Sequence, residues 1–379
     1  MAKKKNHIIE ILIILLLCLL IGIVLMVFLV LDKPEEKGQV NIIEHTAEIT
    51  TDIVTVATTT ELATANAPRQ EGVTYYTPYS EDVEGRQINY IYVYGNTAYE
   101  YYNYVESIAE RYANAVNKAA ASLPDTKVYC MVLPTSIGIV LHDNVANNLP
   151  VSNQRNSQNK IIDKLSGAIG VPVYDELKNH KDEYLYFRTD HHWTALGAYY
   201  AYGAFMNAKG ESAKALTDFI ENRAEGYLGS FYRDTDNAQS LAATPDTVFT
   251  YTPKCNYSFS ISQSDEGGFY SYPLVGDAAN MGQSGKYLAF IGGDNALSLL
   301  ENHDNPNGKT LVVVKDSFGN ALIPFFVYDY HKVYVIDFRN FSGQITDFAK
   351  KANANELLFA SNMSMTRNGS LVTKLGERI

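Results

Sequence analysis

Residues 310–320 read TLVVVKDSFGN, and this stretch decides the fold. Its first five residues form a continuous apolar run of strand length, which is typical of a strand buried on both faces of a parallel sheet. A polar turn with Lys315 and Asp316 follows, and Ser317 stands where a helix is expected to begin. A buried strand, a turn and a helix in this order predict one unit of an α/β fold.

The same alternation occurs elsewhere in the chain. Strand-like apolar runs lie at residues 128–133, 333–337 and 356–360, and helical three- and four-residue periodicity lies at residues 105–123 and 345–352. Strands that alternate with helices predict a doubly wound, mainly parallel sheet.

Residues 210–286 have a different texture, rich in Gly, Ser, Tyr, Asp and Thr. Alternating pieces at residues 248–251 and 257–261 predict antiparallel strands. We therefore expect an irregular β-rich insertion that flanks the site. A further short strand is predicted at residues 171–174, and a helix is predicted to follow Ser317 directly.

The N-terminal region predicts a membrane anchor. Residues 11–31 are uncharged and almost wholly apolar, and at about 1.5 Å per helical residue they reach about 30 Å, the thickness of a bilayer core. Lysines precede this run and acidic residues follow it, so residues 1–10 are expected in the cytoplasm and the remainder outside. A cleaved signal peptide is the alternative, but its apolar region usually spans only about 7–15 residues. We expect an uncleaved single-pass protein of the cell membrane.

Beyond the anchor, residues 32–70 are predicted to be a Thr- and Ala-rich stalk, and residues 71–379 an extracytoplasmic α/β domain. The net charge is −11 and the exported part has no basic patch, which argues against a nucleic-acid partner. Cys130 and Cys255 either form a disulfide or remain free, and the sequence leaves both possibilities open.

Two polar clusters follow predicted strands, at residues 189–194 (TDHHWT) and at residues 315–320. Ligands of open α/β sheets bind at the carboxyl ends of the strands, so a site is expected there. A serine hydroxyl is a weak nucleophile that needs a base, most often an imidazole oriented by a carboxylate. In an extended loop Asp190 and His192 point the same way, so Asp190 can hold Nδ1 of His192 and leave Nε2 free for Ser317.

The alternatives at these residues are structural. Ser317 at a strand-to-helix turn is often only an N-cap, and an Asp-x-His pair is often only a structural hydrogen bond. His191 is expected to point away from His192. Because adjacent histidines point apart and no further His or Cys occurs at ligand spacing, we expect neither a metal nor a cofactor. Thr194 is a predicted N-cap for a helix at residues 195–207.

Five further residues are weaker candidates for substrate binding or an oxyanion hole. Gly293 and Asn295 follow an apolar run and could supply an N–H donor, while Asn320 and Arg339 could support the pocket. Trp193, the only tryptophan, could contact substrate, although core packing is the favoured interpretation. For each of these residues a structural role is the alternative.

Together these motifs resemble the DHHW protein family. The resemblance is carried by residues 189–194, by the sequence GAY at 197–199 and by KDSFGN at 315–320, and it covers about residues 88–358. The family is similar to the SGNH-like domain of the alginate O-acetyltransferases AlgJ and AlgX, in which Asp-x-His-Trp precedes the serine. An ordinary SGNH hydrolase has its serine near the start, so the motif order here is permuted.

The resemblance implies that Ser317 is the nucleophile, His192 the general base and Asp190 its orienting acid. It implies a membrane-anchored, extracytoplasmic serine O-acetyltransferase or acetylesterase that acts on a cell-surface polysaccharide through an acyl-enzyme. It also implies a multi-spanning membrane O-acyltransferase as the source of acetyl groups. The chain lacks the Gly-Asp-Ser block of the hydrolases, so the oxyanion hole is the least defined part. The alternative is a non-catalytic envelope protein that binds glycan or acts as a scaffold, which the 28 tyrosines would also suit.

Overall fold

The structure is a computed structural model that describes residues 70–264 and 267–379. The predicted cytoplasmic segment at residues 1–10, the anchor at residues 11–31 and the stalk up to residue 69 lie outside the described residues. Among the helices of the described part, none has both the length and the apolar character needed to cross a bilayer.

The strands of the described residues are, in chain order, β1 (Arg86–Ile88), β2 (Ile91–Tyr94), β3 (Thr97–Glu100), β4 (Lys127–Leu133), β5 (Ile169–Gly170), β6 (Phe219–Tyr227), β7 (Asp246–Pro253), β8 (Tyr257–Ser262), β9 (Tyr270–Ser271), β10 (Leu297–Asn302), β11 (Lys309–Lys315), β12 (Tyr330–Asp337) and β13 (Glu356–Asn362). The α-helices are α1 (Glu106–Ser122), α2 (Ser136–Ile139), α3 (Asp143–Ala146), α4 (Gln154–Ile162), α5 (Tyr174–Asn179), α6 (Ala195–Ala208), α7 (Ser230–Asp234), α8 (Gln239–Ala242), α9 (Ile345–Lys351) and α10 (Gly369–Glu377). Short 3-10 helices lie at Leu216–Asp218, Ala278–Asn280, Lys286–Ala289, Ser317–Ala321, Ile323–Tyr328 and Met365–Arg367.

A single eight-stranded sheet forms the centre of the described domain, in the order β5-β4-β13-β11-β12-β10-β8-β9. The strands from β5 to β12 run parallel, whereas β10, β8 and β9 continue the sheet in antiparallel fashion. Strands β1 to β3 form a small antiparallel sheet, and β6 pairs with β7. The fold is thus a mixed α/β fold with a parallel half, as the strand and helix alternation predicts.

The parallel strands are covered on both faces. In β11, Leu311 and Val313 belong to one hydrophobic cluster, and Val312 and Val314 belong to a second cluster on the opposite face. Helix α6 packs into the first cluster, while α1, α9 and α10 pack into the second. Successive side chains of a strand point to opposite faces, so a run such as TLVVV contributes to two cores at once.

Helix α6 begins where the sequence predicts, directly after the Thr-Asp-His-His-Trp-Thr motif. The Oγ1 of Thr194 caps it by accepting the N–H of Gly197. A Cβ on Gly197 would lie 2.5 Å from the carbonyl oxygen of Leu185, so glycine is needed for the close approach of this helix to the preceding chain.

Two local predictions are wrong. Residues 171–174 are not a strand: β5 ends at Gly170, Pro172 has no N–H for a ladder, and Tyr174 opens α5. The single helix expected after Ser317 is two 3-10 helices, interrupted where Pro324 cannot continue an α-helical ladder.

Residues 210–286 are β-rich as predicted. Within them β6 pairs with β7, and β8 and β9 extend the central sheet.

Both cysteines of the described domain are free thiols. Cys130 is buried in the cluster on one face of the sheet, and Cys255 packs against the cluster on the other face. The sheet therefore separates the two sulfur atoms, and the disulfide left open by the sequence is absent from the described structure.

Candidate active site

The parallel strands end at one edge of the sheet, and polar residues follow those ends. Ser317 follows β11, Arg339 follows β12 and Asn362 ends β13. Lys315 at the end of β11 is in register with Asp337 in β12 and with Ala360 in β13, so the three strand ends lie side by side. This is the edge at which open α/β sheets bind their ligands.

The histidine motif reaches this edge on a loop that folds back on itself. The N–H of Phe187 donates to the carbonyl of His192 at 3.1 Å, and a β-bridge joins Tyr186 to Trp193. The indole Nε1 of Trp193 donates to the carbonyl of Phe318 at 2.8 Å. The Trp193 hydrogen bond thus joins the histidine loop to the serine turn.

Asp246 at the start of β7 anchors the other end of this loop. Its carboxylate accepts the N–H of Arg188 at 3.1 Å and the N–H of Thr189 at 2.7 Å. It also forms a fully buried ion pair with the guanidinium of Arg188, at 3.2 Å, and accepts the hydroxyl of Tyr184 at 2.6 Å. A carboxylate so well satisfied fixes the loop at low desolvation cost.

His192 lies between Ser317 and Asp190. Its Nε2 lies 2.8 Å from the Oγ of Ser317, and its Nδ1 lies 2.6 Å from the Oδ1 of Asp190. The other carboxylate oxygen, Oδ2, accepts the N–H of Ser230 at 2.7 Å. The contacts predicted from the spacing of Asp190 and His192 are present. With Nδ1–H donated to Asp190, the Nε2 lone pair faces the serine hydroxyl.

The charge on Asp190 is stabilised by its surroundings. Burial opposes ionisation, but His192, His191 and the N–H of Ser230 together hold the pKa of the carboxyl well below its usual range. Gly229 packs directly on this carboxylate, and a Cβ at that position would lie 2.3 Å from the Oδ2. The first residue of α7 therefore stabilises the charge of Asp190, and Gly229 before it limits the space around the carboxylate.

Ser317 is not the N-cap of the helix that it opens. Asp316 takes that role, because its Oδ1 accepts the N–H of Phe318 at 3.0 Å. Its Oδ2 accepts the backbone N–H of Asn362 at 2.8 Å and the side-chain Nδ2 at 3.0 Å. Burial raises the pKa of Asp316. Because Asp316 caps the turn, the Ser317 hydroxyl is available to His192, which removes the structural interpretation of this serine.

Tyr287 completes the surroundings of the imidazole. Its ring stacks on His192 with centroids 3.8 Å apart, and its hydroxyl donates to the carbonyl of Ser317 at 2.9 Å. Burial raises the pKa of Tyr287 well above its usual range, so the hydroxyl keeps its proton. The sequence reasoning did not identify this residue, since nothing in its local pattern relates it to either motif.

His191 does not point away from His192 as expected. The two imidazoles lie 3.8 Å apart, and Nδ1 of His191 lies 2.6 Å from the Oγ of Ser230. Burial, together with the neighbouring His192, lowers the pKa of His191. The expectation was wrong because residues 190–192 are a tight loop rather than an extended strand, so adjacent side chains can converge.

Asp190, His191 and His192 form the one group among the described residues whose ligand atoms lie close enough together to hold a metal ion. Their atoms are already engaged: Asp190 accepts from His192 and Ser230, and His191 contacts the Ser230 hydroxyl. A metal would have to displace these hydrogen bonds, so the donor set fits a hydrogen-bonded acid and base better than a metal centre.

Asn320 and Arg339 belong to a charged network beneath the serine turn. Asn320 Nδ2 donates to Asp294 Oδ1 at 3.0 Å, and Arg339 forms ion pairs with Asp294 at 2.8 Å and with Asp337 at 2.6 Å. Partial desolvation opposes ionisation of Asp294, but the neighbouring Lys315 and Arg339 lower its pKa to about 2. Of these residues Arg339 also reaches the cavity wall.

The structure does not bring the other weak candidates into the cavity. The N–H of Gly293 donates to the carbonyl of Phe290 at 3.1 Å, and Asn295 Nδ2 donates to the carbonyl of Ile291 at 3.0 Å. Trp193 is fully buried in the core and packs on Phe318. The N–H donors of Gly293, Asn295 and Trp193 all bind backbone carbonyls. The oxyanion or substrate-binding role considered for these residues is therefore corrected to a structural one.

A cavity of about 590 Å³ opens over Ser317. Its lining includes His191, Phe231, Asp316, Asn362 and Ser364. The cavity falls in the size range of small-ligand sites, about 300–1,000 Å³. The sequence predicted that the site lies at the carboxyl edge of the sheet. It did not predict that the segment after β13 lines the cavity, because that segment has no recognisable motif.

The half-parallel sheet and the hydrogen-bonded Ser317, His192 and Asp190 define a mixed α/β domain with a candidate serine site at the carboxyl edge of the sheet. The chain belongs to the DHHW protein family, whose family model matches residues 69–336. No curated protein sequence matches it.

Solved structures of a DHHW family protein and of PatB1 share this fold. A DHHW family protein from Eubacterium siraeum is 29% identical, with a TM-score of 0.71 over 78% of this chain and 98% of that one. Bacillus cereus PatB1 is 20% identical, with a TM-score of 0.61 over 77% of this chain and 99% of PatB1. The O-acetyltransferase domain of Pseudomonas putida AlgJ matches at 12% identity and a TM-score of 0.40, over 78% of this chain and 99% of that domain.

Proposed function

We propose that this protein is a serine O-acetyltransferase that acts on a cell-surface polysaccharide, with Ser317 as nucleophile, His192 as general base and Asp190 as its orienting acid. The observation that carries the proposal is the chain of two short hydrogen bonds, 2.8 Å from Ser317 Oγ to His192 Nε2 and 2.6 Å from Nδ1 to Asp190. The capping of the turn by Asp316 supports it, because it removes the alternative role of the serine hydroxyl.

In the first half-reaction, His192 Nε2 takes the proton of Ser317 as the Oγ attacks the acetyl carbonyl carbon. The carbonyl electrons move to the oxygen, and collapse of the tetrahedral intermediate expels the donor's leaving group, which takes the proton from His192. In the second half-reaction, an acceptor hydroxyl gives its proton to Nε2 and attacks the acetyl-serine. The ester passes to the acceptor, and Ser317 recovers its proton.

The developing oxyanion needs hydrogen-bond donors near Ser317. The Ser317 N–H is one, since the first N–H groups of a helix have no intrahelical partner. Asn362 is the other candidate, because it lines the cavity and its side-chain amide, which has two N–H groups, donates one hydrogen bond to Asp316. Loss of one such donor typically lowers kcat about 10²–10³-fold.

Transfer and hydrolysis share every step until the acceptor attacks, so the same residues support an acetylesterase if water is the acceptor. The resemblance of the two motifs to those of the alginate O-acetyltransferases favours acetyl as the group and a polysaccharide as the acceptor. Exclusion of water from the acyl-enzyme by bound glycan would then decide the outcome.

The location of the site also belongs to this proposal. An anchor at residues 11–31 would hold the domain outside the cell and close to the membrane. There a multi-spanning O-acyltransferase could deliver acetyl groups from the cytoplasm. Replacement of the anchor by a cleavable signal should then spare hydrolysis of a soluble ester but reduce acetylation of the polymer in cells. If polymer acetylation persists at its full level, the anchor serves only for localisation.

The direct test is hydrolysis of p-nitrophenyl acetate by the full chain in detergent. Ser317→Ala should lower kcat/KM by at least about 10³-fold. Ser258→Ala is the matched control, since Ser258 Oγ also lies 3.1 Å from a histidine nitrogen, Nε2 of His303, but is exposed. Undiminished turnover by Ser317→Ala would overturn the mechanism.

Covalent labelling provides a second test. PatB1, which shares the fold, has a structure with a sulfonyl adduct. Treatment of this protein with phenylmethylsulfonyl fluoride should place the sulfonyl group on the peptide that contains Ser317, as detected by mass spectrometry. His192→Ala should slow the labelling, because the base that activates the hydroxyl is lost. Absence of turnover and of labelling, with glycan binding retained, would support the non-catalytic alternative.

A further inference from the structure

The cavity over Ser317 extends beyond the acetyl site, and we infer that its outer part is a subsite for a neutral pyranose of the acceptor glycan, formed by Tyr90 and the Glu100–Arg367 pair. This inference rests on the proposed function and specifies its substrate class. An acetyl group occupies only a small fraction of about 590 Å³. The remaining space must therefore hold the molecule that carries or receives it.

Tyr90 forms one wall of this outer part. Its side chain lines the cavity and is 48% exposed, although tyrosine rings prefer partial burial. Its hydroxyl donates to Asp234 Oδ2 at 2.8 Å, which holds the ring in place. Asp234 ends the short helix α7, which begins at Ser230, and Ser230 donates to the carboxylate of Asp190. Tyr90 is thus linked through α7 to the residue that binds Asp190.

A held, half-exposed aromatic ring in a cavity suits the apolar C–H face of a pyranose. Phe231, also in α7, lines the same cavity and packs edge-on against His191 at 6.2 Å between ring centroids. One helix thus presents an apolar surface beside His191 and holds a second aromatic ring of the same cavity.

The cavity lining also supplies polar groups. Glu100 at the end of β3 pairs with Arg367 at 2.7 Å, and both line the cavity together with Ser364 and Asn368. Hydroxyl groups of a sugar can both donate and accept, so they suit a wall that presents a carboxylate and a guanidinium side by side.

The charges around the cavity favour a neutral ligand over an anionic one. Of the residues that line it, both arginines are paired: Arg339 with Asp294 at 2.8 Å and with Asp337, and Arg367 with Glu100. An acidic sugar would have to compete with these carboxylates for the guanidinium groups and would also face Glu100 itself. A neutral pyranose meets neither cost.

The experiment uses the full chain with p-nitrophenyl acetate as donor and three acceptors: cellotriose, chitotriose and trigalacturonate. Acetylated product is measured by mass spectrometry, and reporter hydrolysis is measured in the same samples. At least one neutral trisaccharide should be acetylated, and trigalacturonate should be acetylated less than one tenth as fast. Tyr90→Ala should lower the ratio of trisaccharide acetylation to reporter hydrolysis about tenfold. Tyr90→Phe keeps the ring but loses the hydrogen bond to Asp234, so it should lower the ratio less than Tyr90→Ala does.

Tyr270→Ala is the matched control, because Tyr270 is 49% exposed but does not line the cavity. It should leave the ratio unchanged. A ratio in Tyr90→Ala equal to that of this control would overturn the position of the subsite, and preference for trigalacturonate would overturn its neutral character. If no trisaccharide is acetylated while Ser317-dependent hydrolysis persists, the subsite is wrong and the chemistry stands. If hydrolysis survives Ser317→Ala, the proposed function itself fails.

Discussion

The ring of Tyr287 lies nearly parallel to the imidazole of His192, with an interplanar angle of 11° and 3.8 Å between centroids. The hydroxyl of the same residue donates to the carbonyl of Ser317 at 2.9 Å. A single side chain therefore contacts both the proposed base and the backbone of the proposed nucleophile. The stack restrains the plane of the imidazole, and the hydrogen bond restrains the turn, so Tyr287 is a positioning residue for the pair.

Two substitutions separate these contacts. Tyr287→Phe keeps the stack and loses one hydrogen bond worth about 0.5–1.5 kcal/mol, so kcat for p-nitrophenyl acetate should fall about two- to tenfold. Tyr287→Leu loses both contacts and should lower kcat about 10²-fold, since small displacements of a catalytic group are costly. Because Tyr287 acts through His192 and Ser317, KM should change much less than kcat. Equal activity of the two variants would show that the stack has no role.

His191 provides a second prediction, because its ring packs on His192 and its pKa is lowered by burial and by that neighbour. Packing rather than charge is the expected contribution. His191→Phe should therefore keep most of the activity, whereas His191→Lys should lower kcat/KM at least about tenfold, by placing a buried cation beside the base. Steady-state kinetics with the reporter ester would check this. A lysine variant more active than the phenylalanine variant would contradict it.

The motif pair was predictable because its geometry is local. Ser317 follows an apolar strand, and two residues as close in sequence as Asp190 and His192 can bring carboxylate and imidazole together in an extended or a tight loop. Because open α/β sheets bind ligands at the carboxyl ends of their strands, both motifs were expected at the same edge of the sheet. The orientation of His191 was not predictable in the same way, since it depends on the loop that Asp246 holds from a distant strand.

The supporting residues could not be read from the sequence. Tyr287, Ser230 and Asn362 lie in three separate elements, and each touches the site only because tertiary packing brings its element there. Gly293 and Asn295 are the opposite case, because their sequence pattern suggested a role in the site. A glycine-rich turn after an apolar run is compatible with an oxyanion loop, but the N–H of Gly293 and the amide of Asn295 donate to nearby backbone carbonyls. The local sequence does not distinguish residues that support the site from residues that only stabilise the fold, whereas their tertiary contacts do.

Gly229 predicts a steric test of the role of Asp190. Alanine at this position would bring its Cβ to 2.3 Å from Asp190 Oδ2, so the carboxylate must move. Gly229→Ala should lower kcat about 10²-fold with a smaller effect on KM, because a displaced acid no longer orients the imidazole. The control is Gly203→Ala in α6, where a Cβ meets nothing within 4 Å and alanine is favoured in a helix. Comparable loss in both variants would show a general effect on folding rather than displacement of Asp190.

The last prediction concerns stability far along the chain from the motif loop, at Asp329. Burial raises the pKa of its carboxyl to about 6, despite a hydrogen bond from Tyr202 at 2.7 Å and the nearby Lys209. An unfolded chain would ionise this group near its ordinary value of about 3.9. Between these two values the folded state binds a proton that the unfolded state has released. This contribution to stability is therefore complete below about pH 4 and is lost as the pH rises through about 6.

Asparagine at this position stays neutral at every pH and can still accept the Tyr202 hydroxyl. Asp329→Asn should thus raise the free energy of unfolding by about 2 kcal/mol at pH 7.5 and by much less at pH 4.5. Thermal unfolding of the full chain at the two pH values would measure this, with the exposed Asp125→Asn as control. The gain at pH 7.5 must exceed that at pH 4.5, because only ionised Asp329 is destabilising in the folded state. An equal gain at both pH values would mean that the substitution acts through packing, and no gain at pH 7.5 would mean that Asp329 ionises without cost.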